Sequence, residues 1–183
     1  LSANEPHIAW QSNMTPQEAC DTFAQQVEAW PNAQHAAPSV AWGHYQSDAW
    51  ISAFADCANM QAVDAWQVHI YPSFPRSSVK AVVMLDQFET WMHAHNQQDK
   101  PLFVFEWQLC NSSENLAFAT ELERRGHSHM IFASREYGNE TCSKHTVDDA
   151  GLTEFGCIYH NGAPCQTTAI AMVDETTEVG GFT

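Results

Sequence analysis

The stretch Lys100-Pro-Leu-Phe-Val-Phe-Glu-Trp-Gln-Leu109 holds one carboxylate, Glu106, in a run otherwise built to be buried. Phe103, Val104 and Phe105 are strong strand formers, and a continuous apolar run bounded by Pro101 and a polar loop predicts a strand covered on both faces. Such strands belong to parallel sheets. Glu106 falls where the strand runs out into Asn111-Ser-Ser-Glu114. That is the end of a parallel strand at which α/β folds place acids, bases and nucleophiles, because the loops there vary while the sheet holds them. Capping of the next helix is the structural alternative for a lone acid. Strict alternation puts Leu102, Val104 and Glu106 on one face and Phe103, Phe105 and Trp107 on the other.

Other reactive residue types are less ordered. The ten His include the pairs His93/His95 and His127/His129. An i,i+2 spacing does not converge on a helix, and no HExxH pattern accompanies either pair, so no metal and no cofactor are expected. Cys20, Cys57, Cys110, Cys142, Cys157 and Cys165 show no CxxC spacing and fit an oxidising compartment.

The elements that position Glu106 are legible from caps and periodicity. Leu1–Glu5 is a strand end, followed by a polar loop over His7–Asn13. Thr15-Pro16-Gln-Glu18 predicts an N-cap, a proline at the first helical position and an acid in the first turn of a helix over Ala19–Trp30. A short strand follows over His35–Trp42, ended by Gly43, and then a helix capped by Ser47-Asp48 that runs through Asn59. The next strand is Val63–Tyr71, with Gln67, His69 and Tyr71 on one face and Trp66, Val68 and Ile70 on the other. A helix over Ser78–Asn96 leads into the Glu106 strand. Helix Asn115–Arg125 and strand Ser128–Ala133 come after it, and the tail predicts an extended piece and turn over Phe155–Pro164 and a last helix near Gln166–Asp174.

Strand and helix thus alternate as in βαβ units. No strand is followed by GxGxxG or GxxxxGK[ST], which disfavours a doubly wound nucleotide-binding sheet and leaves a (β/α)8 TIM barrel. A whole barrel takes about 250 residues. The expectation is therefore an α/β fold that is an incomplete barrel, strands four to eight present and one to three missing. Residues 1–183 would be the C-terminal portion of one catalytic domain, and the absence of an initiator Met or signal peptide points the same way.

Composition limits the partners. Seven Lys and Arg against 22 Asp and Glu leave a formal net charge of −15, which argues against a nucleic acid partner and favours a neutral ligand. No apolar run is long enough for a membrane span. The sequons Asn13-Met-Thr15, Asn111-Ser-Ser113 and Asn139-Glu-Thr141, with the cysteines, favour a secreted glycoprotein, expected to be a monomer.

Asn4-Glu5-Pro6 at one strand end and Glu106 at another resemble the acid/base and nucleophile of the clan A retaining glycoside hydrolases, whose barrels carry Asn-Glu-Pro at strand four and Glu at strand seven. Val68-His69-Ile70-Tyr71-Pro72 is similar to that clan's His-x-Tyr at strand six. Phe155-Gly156 and His160-Asn-Gly162-Ala-Pro164 are similar to the turn before its last helix. Within the clan, Asn4-Glu5-Pro6 followed by Gln11-Ser-Asn-Met-Thr-Pro-Gln-Glu-Ala19 most resembles the family 128 endo-β-1,3-glucanases. His7 stands where Asp often follows Asn-Glu-Pro, and Phe105 where Thr or Ser usually precedes the nucleophile.

The resemblance implies double displacement on a polysaccharide, most simply an endo-β-1,3-glucan. Glu106 would attack the anomeric carbon while Glu5 protonates the leaving oxygen, and Glu5 would then activate the water that releases the sugar; in retaining enzymes such carboxyls stand about 5–5.5 Å apart. Asn4 would hold the sugar 2-hydroxyl, and His69 or Tyr71 would orient Glu106. Trp10, Trp42 and Trp107 are candidate stacking surfaces, Trp107 the weakest because it is expected to face the helices. Helices in a barrel start at the catalytic face, so Cys110 could pair with Cys142 and Cys157 with Cys165. Cys20, early in its helix, and Cys57, late in the next, are expected to lie at opposite ends and not to pair. The alternatives are another clan A β-glycosidase or β-1,4-glycanase, or a non-catalytic carbohydrate-binding barrel protein.

Overall fold

The computed structural model describes residues 3–109 and 112–132, together with 147–148 and 151–152. The expected turn over Phe155–Pro164, the helix near Gln166–Asp174, and Cys110, Cys142, Cys157 and Cys165 lie outside the described residues. Helices α1 (Pro16–Ala29), α2 (Ser47–Cys57), α3 (Ser78–Ala94) and α4 (Ser112–Arg125) alternate with strands β1 (Val40–Ala41), β2 (Trp66–Ile70), β3 (Leu102–Trp107) and β4 (Ser128–His129). The strands form one parallel sheet in the order β1-β2-β3-β4. Asn4 adds an isolated parallel bridge to Ser39 beside β1, so the N-terminal segment stands next in that same order. A separate antiparallel pair, β5 (Val147–Asp148) and β6 (Gly151–Leu152), completes the described elements.

Local chemistry accounts for the first helix. The Thr15 hydroxyl accepts from the Glu18 amide at 3.2 Å and the Glu18 carboxylate accepts from the Thr15 amide at 2.7 Å, a reciprocal capping box with Pro16 at the first helical position. At α2 the expected serine cap is displaced. Gln46, in the left-handed region at φ 59°, occupies the cap position, and the Ser47 hydroxyl accepts from the Gly43 amide at 3.0 Å. The strand expected over Ser128–Ala133 is assigned only at Ser128–His129, although the Met130 and Phe132 amides still donate to Val104 and Trp107 carbonyls of β3.

The core lies between the sheet and the helices. Trp66, Val68 and Ile70 from β2 and Leu102, Val104 and Trp107 from β3 meet Leu85 and Phe88 of α3 and Phe118 and Leu122 of α4. Alternation is not strict in β3. Val68 pairs with Val104 but His69 pairs with Glu106, so Phe105 is an extra residue absorbed in a bulge. The expectation that Glu106 shares a face with Leu102 and Val104 is therefore corrected. Those two face the helices, whereas Phe103, Phe105 and Glu106 all line a cavity on the opposite side of the sheet. Trp107 does face the helices, edge-to-face with Phe118 at 5.2 Å.

The second correction concerns Cys20 and Cys57, which form a disulfide with Cα atoms 6.1 Å apart. The expectation assumed that α1 and α2 begin level with each other. They do not: Trp50, early in α2, donates its indole N–H to the Met14 carbonyl at 2.9 Å, just before α1 begins. α2 thus starts well ahead of α1, and six residues farther along α1 is level with seven farther along α2. That offset brings Cys20 beside Cys57.

Candidate active site

Glu5 ends the N-terminal segment. Its amide donates to the Ser39 carbonyl at 2.9 Å, and its backbone takes φ 41°, a left-handed conformation uncommon outside glycine, asparagine and aspartate. The carboxylate is thereby turned inward, and the residue is 7% exposed. The loop that follows is braced on itself. Amides of Ile8 and Met14 donate to the Glu5 and Pro6 carbonyls at 3.0 and 2.8 Å, and the Ser12 hydroxyl donates to the Asn4 carbonyl at 2.7 Å. Backbone strain of this kind persists where the surroundings over-determine it.

His69 reaches the same point from β2. Its Nδ1 lies 2.8 Å from Glu5 Oε1 and 3.5 Å from Glu106 Oε2, so one buried imidazole stands between the two carboxylates. Ligand atoms of Glu5, His69 and Glu106 all lie within 4.8 Å of one another. The Tyr71 hydroxyl donates to Glu106 Oε2 at 2.9 Å. Burial first, then the Glu106 charge, push the Tyr71 phenol far above its ordinary value of 10.0, so it stays a donor. His44 Nε2 lies 2.6 Å from the Tyr71 carbonyl, and since a carbonyl only accepts, that nitrogen carries the proton.

Both carboxylates open on a cleft of about 530 Å³ at the carboxyl ends of the strands, lined also by Asn4, Trp10, Tyr45, Arg76 and Phe132. The structure therefore brings Asn4, Glu5, His69, Tyr71, Glu106 and Trp10 together. It does not bring Trp42, which is 6% exposed and packs edge-to-face on Phe88 at 5.0 Å in the core; the stacking expectation for Trp42 is corrected. His44, Tyr45 and Arg76 were not singled out from sequence. For the first two a signal existed, since Gly43-His-Tyr-Gln46 follows a strand and so belongs at the catalytic end.

Chemically, two acids a few ångströms apart, one buried on an imidazole and one held by a phenol, can act on opposite sides of a bond placed between them. The same three ligand atoms lie close enough together to hold a small cation, and of the three pairs His69 and Glu5 are hydrogen-bonded to each other.

A fold with a parallel sheet, alternating helices and this acid pair at the strand ends belongs to the class of barrel-type glycoside hydrolases. Residues 1–134 match the glycosyl hydrolase catalytic core, and the chain belongs to that family. No curated protein matches the sequence. Among solved structures, a subgroup II endo-β-1,3-glucanase of family 128 from Sorangium cellulosum is similar at 18% identity and TM-score 0.64, over 89% of this chain and 69% of that one. A subgroup VI exo-β-1,3-glucanase from Aureobasidium namibiae is similar at 18% identity and TM-score 0.68, over 85% and 64%. A subgroup I endo-β-1,3-glucanase from Amycolatopsis mediterranei, in complex with laminarihexaose, is similar at 20% identity and TM-score 0.61, over 85% and 68%. The chain spans about two thirds of the length of these structures, and its fold is that of the family 128 enzymes.

Proposed function

We propose that the protein hydrolyses β-1,3-glucan with retention of configuration, Glu106 as nucleophile and Glu5 as acid and then base. The observation that carries this reading is that one oxygen of Glu5 and one of Glu106 lie within 4.8 Å of each other at the strand ends, so the two carboxyl groups are close neighbours. Inverting enzymes need about 6.5–9.5 Å, because a water must fit between the carboxylate and the sugar, whereas about 5–5.5 Å leaves room only for direct attack. Tyr71 fits the task of holding Glu106 in line. His69, bonded to Glu5 and in reach of Glu106, fits that of keeping the two acids apart in role, and exposed Asn4 that of meeting a sugar hydroxyl.

The linkage follows the β-1,3-glucanase relatives, and the open cleft and net charge of −15 suit a neutral polysaccharide. The chain fits the strand four to eight portion of a (β/α)8 barrel. Gln67, Phe103 and Phe105 line a concave cavity of about 610 Å³ on the side where a closed barrel keeps its remaining strands. The Cys20–Cys57 disulfide and the exposed sequon residue Asn13 support an extracellular setting.

The test is proton NMR of laminarin hydrolysis by the full-length protein. A new reducing end that appears first as the β-anomer is expected. First appearance of the α-anomer would overturn the retaining mechanism, and no cleavage of laminarin would overturn the substrate assignment.

A further inference from the structure

Tyr71 comes just after the last rung that ties β2 to β3, the pairing of Ile70 with Trp107, so the sheet by itself does not set where its phenol stands. Glu106 is inside the ladder, opposite His69. What keeps the phenol on Glu106 must therefore act on the loop that runs from Tyr71 to α3. His44 holds the Tyr71 carbonyl at one end of that loop. At the other end the loop is wired into the first turn of α3. The Ser77 hydroxyl accepts from the Lys80 amide at 3.4 Å, and Lys80 Nζ donates to the Ser73 and Phe74 carbonyls at 3.2 and 3.3 Å. Where α3 begins thus decides where the loop lies.

The start of α3 is held in turn from α4. Glu114, in the first turn of α4, accepts from the Ser78 amide at 2.5 Å. That amide is among the first of α3, which have no carbonyl of their own helix to bond, and the helix dipole also favours a carboxylate there. The hydrogen bonds from Ser78 hold the Glu114 carboxyl below its ordinary value of 4.5, so the charge is present at neutral pH. Asn115, next in the same turn, is 1% exposed and accepts from the Leu109 amide at 2.9 Å. Leu109 follows Glu106 just beyond the end of β3. One turn of α4 therefore grips both the exit of the strand that carries Glu106 and the helix start behind the loop that carries Tyr71.

In the reaction proposed above, on which this inference rests, Tyr71 holds Glu106 in line for attack. We propose that Glu114 is a positioning residue for that pair, tying the start of α3 to the exit of β3 so that the Tyr71 hydroxyl stays on Glu106. Its effect passes through Tyr71. A displacement of about 1 Å near reacting atoms can cost on the order of a hundredfold in rate, so a brace remote from the bond being broken still reaches the chemistry. The cost of losing it should fall on kcat rather than KM, since the brace serves the nucleophile and not the sugar chain.

The test is a double-mutant cycle with the full-length protein on laminarin. Glu114→Ala should lower kcat about tenfold with KM nearly unchanged, while Glu114→Gln, which keeps a carbonyl oxygen for the Ser78 amide, should lose about threefold or less. In the Tyr71→Phe background there is no hydroxyl to place, so adding Glu114→Ala should cost less than about twofold more. Glu114→Asp keeps the charge but falls one methylene short of Ser78; it serves in the same cycle if circular dichroism shows the alanine variant unfolded, and its loss should likewise vanish in Tyr71→Phe. An equal loss in both backgrounds would mean a general structural role and overturn the proposal, as would full activity in Glu114→Ala or a loss in Glu114→Gln as large as in Glu114→Ala. Each of these leaves the hydrolase reading intact. Absence of hydrolysis by the unaltered protein would overturn the hydrolase reading and this proposal with it.

Discussion

Glu5 and Glu106 differ in what surrounds them, and that difference sets separate expectations for each. Under the proposed double displacement Glu106→Gln removes the attacking oxygen, so kcat on laminarin should fall by at least about a thousandfold, as measured by reducing-sugar release. Glu5→Gln should cost roughly a hundred- to ten-thousandfold on laminarin but much less on an aryl β-glucoside whose leaving group needs no proton. If the two variants lost equal activity on both substrates, the assignment of roles would be wrong. Tyr71→Phe deletes a hydrogen bond to a charged acceptor, worth about 1.5–3 kcal/mol, and should lower kcat roughly ten- to a hundredfold with little change in KM.

The same phenol has a consequence for pH. Its folded-state value is raised by burial and by Glu106, so the folded protein holds that proton more tightly than the unfolded chain does. The stability this contributes is complete below pH 10.0 and declines as pH rises beyond it. Alkaline unfolding followed by circular dichroism should therefore be less steep in Tyr71→Phe than in the parent.

Among the elements, α1 is the one whose ends chemistry specifies most fully. Thr15→Ala breaks the capping box and should destabilise the fold by about 1 kcal/mol in urea unfolding. Replacing both Cys20 and Cys57 by Ser releases a link with a sequence separation of 37 and should cost about 2–4 kcal/mol in the same assay. A cost near zero would mean that packing of Phe23 on Phe54, 5.8 Å apart, already sets how the two helices meet. The helices were legible because caps, proline positions and periodicity are local. Their axial offset was not, because it depends on how long a loop precedes each one, and so the disulfide could not be read. β3 shows the same limit, since nothing in Phe103-Val-Phe-Glu106 marks which residue a bulge will absorb.

At the scale of the whole molecule the net charge of −15 acts on every approaching substrate. Neutral laminarin should be cleaved with kcat/KM nearly independent of ionic strength. Carboxymethylated β-1,3-glucan should be cleaved poorly at low salt and improve toward physiological ionic strength, where the Debye length falls to about 8 Å. Initial rates across a salt series check this, and a rate on the anionic polymer that falls with salt would contradict it. No helix among the described residues is long and apolar enough to cross a membrane.

By itself the sequence determined the alternation of strands and helices, the parallel sheet, the family, and the two acids with His69 and Tyr71 as their neighbours. The alternation, the sheet and Glu106 follow from short patterns whose physics is complete within a few residues: an N-cap, an apolar run, a carboxylate where that run ends. The family, Glu5 and the neighbours His69 and Tyr71 follow instead from the resemblance of Asn4-Glu5-Pro6 and His69-Ile-Tyr71 to the motifs of known glycoside hydrolases. Only the tertiary structure decided that Glu106 turns away from Val104 and that Cys20 meets Cys57. It likewise decided that Trp42 is core while Trp10 faces the cleft beside Tyr45. Each of these depends on register between elements distant in sequence, and a shift of one residue in a strand, or of two turns between helices, changes which side chains meet without changing any local preference.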